Sequence, residues 1–157
     1  MIEPAAVTAF TAVTAVTVVP FPDAIRAFLD DLRYATISTI DPDGTPHQAV
    51  VWYAVDGDEI VVNSAIGRRW PTNLLRDPRL AFSVVDAADG YRWVGLTGTV
   101  RSITDWATTQ ADISSMARRY GADDPEEAER SIRERFERQD RISFRFVPAS
   151  IRDHLDE

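Results

Sequence analysis

The chain has 157 residues, 17 basic and 25 acidic, and a formal charge of −8 at neutral pH; an acidic surface repels nucleic-acid phosphates and argues against that class of partner. It has no cysteine, which excludes disulfides, thiol catalysis and thiolate metal sites. Every basic residue is an arginine, so a Schiff-base lysine, a P-loop lysine and a lysine general base are excluded too, and the bias points to GC-rich coding of an actinobacterial type.

The length suits one domain with a core of its own. The apolar stretch AAVTAFTAVTAVTVV lacks a basic leader, carries Glu3 ahead of it, and is too short and threonine-rich to span a bilayer. Residues 1–20 are therefore read as a flexible or edge-strand extension and 21–157 as a single domain. No other segment suggests a membrane, and a cytoplasmic location is the default. Phe21-Pro22-Asp23 opens a helix to about Asp31, with Ile25, Phe28, Leu29 and Leu32 on one face. A strand from Tyr34 to Ile40 follows, then the turn Asp41-Pro42-Asp43-Gly44 and a second strand from Pro46 to Val55. Asp41 and Asp43 do not make a calcium loop, because the twelfth position holds Trp52 where a bidentate acid is required.

Asp56-Gly57-Asp58 turns the chain into a strand at Ile60, Val61 and Val62 that Asn63 and Ser64 end. Gly67 frees the backbone, Pro71 suits the first position of a helix running to about Asp77, and the amides of Thr72, Asn73 and Leu74 are expected to be free. Arg68 and Arg69 lie on the loop before it. Free amides, a positive dipole end and two guanidiniums are what a phosphate needs. Two readings fit: a phosphate corner, or solvated arginines ahead of a helix that Leu74 and Leu75 pack on a sheet.

Leu80 to Val85 reads as a strand, Asp86 to Gly90 as a turn, and Tyr91 to Ile103 as a long strand whose Gly95 and Gly98 mark a bend or a close approach. Asp105 caps a helix to about Tyr120, ended by Gly121. Pro125 to Gln139 is a second helix with Ile132 and Phe136 inward and i,i+4 charge pairs outward. Arg141 to Val147 is the last strand, with Ile142, Phe144 and Phe146 on one face. Antiparallel strands joined by hairpins around one inserted helix favour a small barrel over a parallel sheet.

His47 and His154 are too few and too scattered for a histidine metal centre or a triad, so no metal is expected. No carboxylate pair stands out for acid–base work, and no catalytic residue is named. Chemistry, if any, belongs to a bound cofactor that the protein orients. Trp52, Tyr53, Trp70, Tyr91 and Trp93 flank the phosphate corner, either to stack on a planar heterocycle or to fill a core or dimer seam.

The stretch TISTIDPDGTPHQAVVWYAVDGDEIVVNSAIGRRWPTNLLRDPRLAFSVVDAADGYRWVGLTGTV, above all Gly44-Thr45-Pro46, SAIGRRWPTNLLRDPR and DGYRWVGLTG, resembles the FMN-binding split barrels related to pyridoxamine 5′-phosphate oxidase. Within them it is similar to the flavin/deazaflavin oxidoreductases of the B group, which often use coenzyme F420. The resemblance covers Leu32 to Ile103 closely and the last strand loosely. It implies a mainly β fold: a six-stranded antiparallel split β-barrel with peripheral helices, homodimeric, with the cofactor at the subunit interface. The ring would lie against Val50, Val51 and Trp52. The phosphate would be held by Ser64, Arg68, Arg69 and Asn73, and Tyr91 or Trp93 would close the site from the partner chain. Trp70 stands beside these residues where many relatives carry a lysine, which removes one cationic contact.

The implied activity is hydride transfer from coenzyme F420 to a small electrophilic organic molecule. FMN is the alternative cofactor, and a non-catalytic carrier of a deazaflavin or tetrapyrrole the alternative class. A pyridoxamine 5′-phosphate oxidase proper is not expected, since no second Arg/His cluster suits a substrate phosphate.

Overall fold

β-Branched and aromatic residues alternating with polar ones pair into one antiparallel sheet, and the helices cover its ends and one face. The computed structural model describes residues 18–156, so most of the 1–20 extension lies outside the described residues. In chain order the elements are α1 (Asp23–Asp30), β1 (Ala35–Ile40), β2 (Pro46–Val51), β3 (Ala54–Asp56), β4 (Glu59–Ala65), α2 (Arg69–Arg76), β5 (Arg79–Val85), β6 (Trp93–Ile103), α3 (Trp106–Tyr120), α4 (Pro125–Ser131) and β7 (Arg141–Asp153). The sheet order is β2-β1-β5-β6-β7-β4-β3. Every pairing is antiparallel.

Among the described residues seven strands stand where six are expected, because the strand foreseen from Pro46 to Val55 breaks at Trp52 and Tyr53. The break has a topological cause. β2 and β3 are opposite edges of the sheet, so the chain crosses from one edge to the other within two residues, and the sheet curls without closing by hydrogen bonds. Tyr53 fixes the crossing from the inside: it is fully buried, its hydroxyl donates to the Leu29 carbonyl at 2.8 Å, and its amide donates to the Tyr120 hydroxyl at 3.2 Å. Leu29, Ile37, Ile60, Val62, Phe82, Leu96, Phe144 and Phe146 fill the interior.

The last strand runs past Val147 to Asp153 and pairs with β6 from Ser143 onward, with a register shift at Thr97/Gly98. A Cβ on Gly98 would lie 2.2 Å from the Val147 carbonyl oxygen, so only glycine fits at this bulge. Both faces of β7 are buried at its start. Ile142, Phe144 and Phe146 enter the core, while Arg141, Ser143 and Arg145 sit under α3.

Two further boundaries differ from expectation. α2 begins at Arg69 rather than Pro71, with the Thr72 amide already donating to the Arg68 carbonyl at 3.2 Å. Pro71 loses nothing there, since the first helical turn offers its N–H no acceptor. The helix foreseen from Pro125 to Gln139 ends as α-helix at Ser131 and continues as one π-helical turn, Ile132–Phe136, closed by the Glu137 amide on the Ile132 carbonyl at 2.9 Å. The wider turn keeps Ile132 and Phe136 together against Ile113 and Ala117 of α3, with Trp52 packed beside them. Among the described residues no helix is long and apolar enough to cross a membrane.

Candidate functional site

Where β4, β7, α3 and the start of α2 meet beside the edge crossing, a cavity of about 200 Å³ opens. Val50, Val51, Trp52, Ser64, Arg68 and Trp70 line it, together with Asn63, Arg141, Arg135 and an apolar wall of Ile113, Met116 and Phe136. The wall is rigid. The Trp52 ring stacks on Tyr120 at 5.0 Å with planes 8° apart and meets the edge of Phe136 at 6.3 Å, and Trp70 packs on Phe144 at 5.8 Å. Val50, by contrast, is 71 % exposed at the cavity mouth.

The polar side of the cavity is cationic. Arg141 is 6 % exposed, its Nε donates to Asn63 Oδ1 at 2.6 Å, and an Nη1 hydrogen goes to Gln139 Oε1. Among the described residues Arg68, Arg135 and Arg141 form no ion pair with any carboxylate. Burial, and then the neighbouring Arg68 and Arg135 charges, push the Arg141 guanidinium down to about 10, so it stays charged at neutral pH at a cost that a bound anion would relieve. Phe136 supports the pair of cations, its ring centroid 5.0 Å from the Arg141 guanidinium carbon and 5.4 Å from that of Arg135. Ser64 is 1 % exposed, and its hydroxyl has no hydrogen-bond partner among the described residues, an expense that a ligand oxygen would remove.

The other expected site residues lie elsewhere in the protomer. Arg69 turns away from the cavity and grips Asp41, Nε to Oδ1 at 3.0 Å and Nη2 to Oδ2. Asn73 is 2 % exposed and gives its amide hydrogens to Asp41 Oδ1 at 2.9 Å and Thr39 Oγ1 at 3.1 Å. These two residues line a separate polar hollow with Asp43, Thr72 and Arg76. Arg69 first, then Asn73, hold the Asp41 carboxyl below its ordinary value of 3.8. Trp93 lines a third hollow with Thr36, Phe82 and Arg152, stacked on His154 at 4.6 Å, and Tyr91 is 89 % exposed on the turn before β6. Within one protomer, then, six of the ten expected residues share a cavity.

Sequence reasoning missed Asn63, Arg135 and Arg141. Asn63 reads as a strand terminator, Arg135 as one charge of a solvated helix face, and Arg141 as the polar start of an alternating strand. β7 places Arg141 opposite Ala65, directly beside the Ser64–Ile142 pair of β4, a pairing that no local pattern in the sequence announces. Among the described residues no group of three or more histidine, cysteine, aspartate or glutamate side chains could hold a metal ion.

Comparison with known proteins extends these observations. The solved structure of a conserved hypothetical protein, Rv2991, from Mycobacterium tuberculosis is 27% identical with a TM-score of 0.72, the match covering 87% of this chain and 86% of that one. An F420 reductase is 24% identical with a TM-score of 0.67, over 84% of this chain and 98% of that one. HutZ, the heme storage protein from Vibrio cholerae, shares the fold at 15% identity and a TM-score of 0.61, over 82% of this chain and 91% of that one. No curated relative matches the chain. The family model described as pyridoxamine 5′-phosphate oxidase matches residues 21–154, which is nearly all of the described chain. By that match the chain belongs to the pyridoxamine 5′-phosphate oxidase family of split barrels.

Proposed function

We propose that the chain is a deazaflavin-dependent reductase that holds coenzyme F420 in the cavity beside Trp52. The carrying observation is the buried Arg141 guanidinium with no carboxylate partner among the described residues, set next to the unpartnered Ser64 hydroxyl. That donor set fits a phosphate, because charged N–H groups and a hydroxyl are what its oxygens accept from. Val50, Val51 and the stacked Trp52–Tyr120 pair give a flat apolar wall at the same cavity, which fits a planar ring. The likeness to an F420 reductase over 98% of that chain supports the deazaflavin.

The chemistry the reduced cofactor would supply there is a hydride for an electrophilic organic acceptor. The chain's own residues bind and orient. Ser64, Arg68 and Arg141 would hold the phosphate, Arg135 would add charge at the π-helical turn, and the Trp52 wall would support the ring and keep water off one side. Arg69 and Asn73 serve the fold instead, pinning the start of α2 to the Asp41 turn. The cavity is lined by guanidiniums rather than acids, so the proton that completes a two-electron reduction comes from solvent. A homodimer completes the site: exposed Val50, Tyr34, Val85 and Tyr91 are apolar surface for a second copy, which would bring its Tyr91 or Trp93 over the cavity mouth.

Family membership also favours FMN as the second reading, since its phosphate suits the same donors. A titration of apo-protein with each cofactor, followed by fluorescence, tests the choice. Tight binding of the deazaflavin alone is expected; preference for FMN makes this an oxygen-reactive flavoprotein, and binding without turnover of a broad acceptor panel makes it a carrier.

A further inference from the structure

One face of α3 meets β4 and β7 through a layer of polar groups whose hydrogens can be assigned one by one. Thr109 and Asp112 are three apart on α3 and so share a face. Asn63 comes from β4, and Arg141, Ser143 and Arg145 alternate along β7. Arg145 grips Asp112 with Nη1 at 2.9 Å and Nη2 at 3.1 Å, which fixes that carboxylate in place. An ionised carboxylate only accepts, so the Ser143 hydroxyl donates its one proton to Asp112 Oδ2, at 2.6 Å. Its oxygen is then left to accept, and it does, from Asn63 Nδ2 at 2.9 Å.

The second Nδ2 hydrogen of Asn63 goes to the Thr109 carbonyl at 3.0 Å. With both amide hydrogens committed, the Asn63 side chain has one allowed orientation, and its oxygen faces Arg141 Nε at 2.6 Å. That bond and the one from Nη1 to Gln139 fix the guanidinium plane. The Nη2 hydrogens have no protein acceptor among the described residues, on a side chain that lines the cavity.

We propose that Asn63, oriented by Asp112 through Ser143 and by the Thr109 carbonyl, is the positioning residue that aims Arg141 at the anion held in the cavity. The inference rests on the reading that this cavity takes an anion, and not on which cofactor carries it. It explains a polar layer that apolar residues of equal volume would otherwise replace without loss. It also explains the direction of the chain of hydrogen bonds, from a paired carboxylate outward to an unpaired cation.

The test uses the full chain with inorganic phosphate as probe, measured by calorimetry in a double-mutant cycle, and the Arg141 Nε–H signal read by nitrogen-15 NMR without ligand. Asn63→Ala is expected to weaken phosphate binding by about 5-fold when Arg141 is present and by less than about 1.5-fold in the Arg141→Ala background. The Arg141 Nε–H is expected to exchange slowly in the parent, where Asn63 accepts it, and fast in Asn63→Ala. Ser143→Ala, which keeps the Thr109 clamp, should weaken phosphate binding by about 2-fold, again only when Arg141 is present.

Equal losses in both backgrounds would mean a merely structural role and overturn the proposal. Unchanged Nε–H exchange, or no phosphate binding by the parent, would do so as well. Coupled phosphate binding in a protein that takes neither deazaflavin nor FMN upholds the proposal and overturns the cofactor reading alone.

Discussion

Arg68 and Arg69 are neighbours in sequence and belong to opposite kinds of site. Arg69 joins Asp41, Asn73 and Thr39, where every charge has a counter-charge and every buried amide hydrogen an acceptor. Arg68 joins Arg135 and Arg141, where three guanidiniums share a cavity and none has a carboxylate among the described residues. The first cluster is complete as it stands and serves the fold. The second is complete only with an anion from outside, and a charge left unsatisfied inside a cavity is the mark of a binding site.

Arg141→Met breaks the comparison most sharply. The substitution keeps the apolar stem of the side chain and deletes a desolvated charge, which offsets the donor that Asn63 and Gln139 lose, so phosphate and cofactor affinity should fall by about 10- to 100-fold while the melting temperature changes little. Calorimetric titration and differential scanning calorimetry on one preparation check both halves. A protein that loses stability and keeps affinity would place Arg141 in the structural class.

Asn73→Ala should do the reverse. It leaves Asp41 and Thr39 short of a buried donor, which costs about 2 kcal/mol and lowers the melting temperature by roughly 4–8 °C for a chain of this size, with affinity unchanged. Lost affinity in a stable protein would return Asn73 to the phosphate site.

The contrast also explains what the sequence could and could not disclose. Turn chemistry and alternation located the hairpins, and with them β1, β5, β6 and the first half of β7, because each depends on near neighbours. The break at Trp52 and Tyr53 was invisible, since it arises from where the sheet's two edges end in space. Five residues at the start of α2 and the end of β4 that the family resemblance assigned to one cofactor site, Ser64, Arg68, Arg69, Trp70 and Asn73, divide between two hollows. A helix turns successive side chains by about a quarter-circle or more, so adjacent arginines point apart. Arg141 was lost for the opposite reason: it reaches the cavity from a strand 73 residues beyond Arg68, by pairing alone.

The two clusters should also titrate in opposite directions. The folded Asp41 carboxyl lies below its ordinary 3.8, so its contribution to stability is complete above that value and is lost as pH falls through the folded one. The folded Arg141 guanidinium is pushed down to about 10; protonated, it holds anions, and anion affinity should persist through neutrality and decline as pH rises past about 10. A melting series on the acid side separates the parent from Asn73→Ala. Phosphate titrations on the alkaline side separate it from Arg141→Met.

The smallest effect is the most discriminating between the neighbours. Arg68 is exposed at the cavity mouth, so water and salt screen it, and Arg68→Ala should weaken phosphate binding by only about 3-fold at low ionic strength, less as salt is added. Arg69→Ala should leave affinity alone at every salt concentration, because its guanidinium is already committed to Asp41. The double variant should therefore match Arg68→Ala. A further loss on removing Arg69 would show that its pairing with Asp41 opens when ligand arrives, and the two clusters would then be one site in two states.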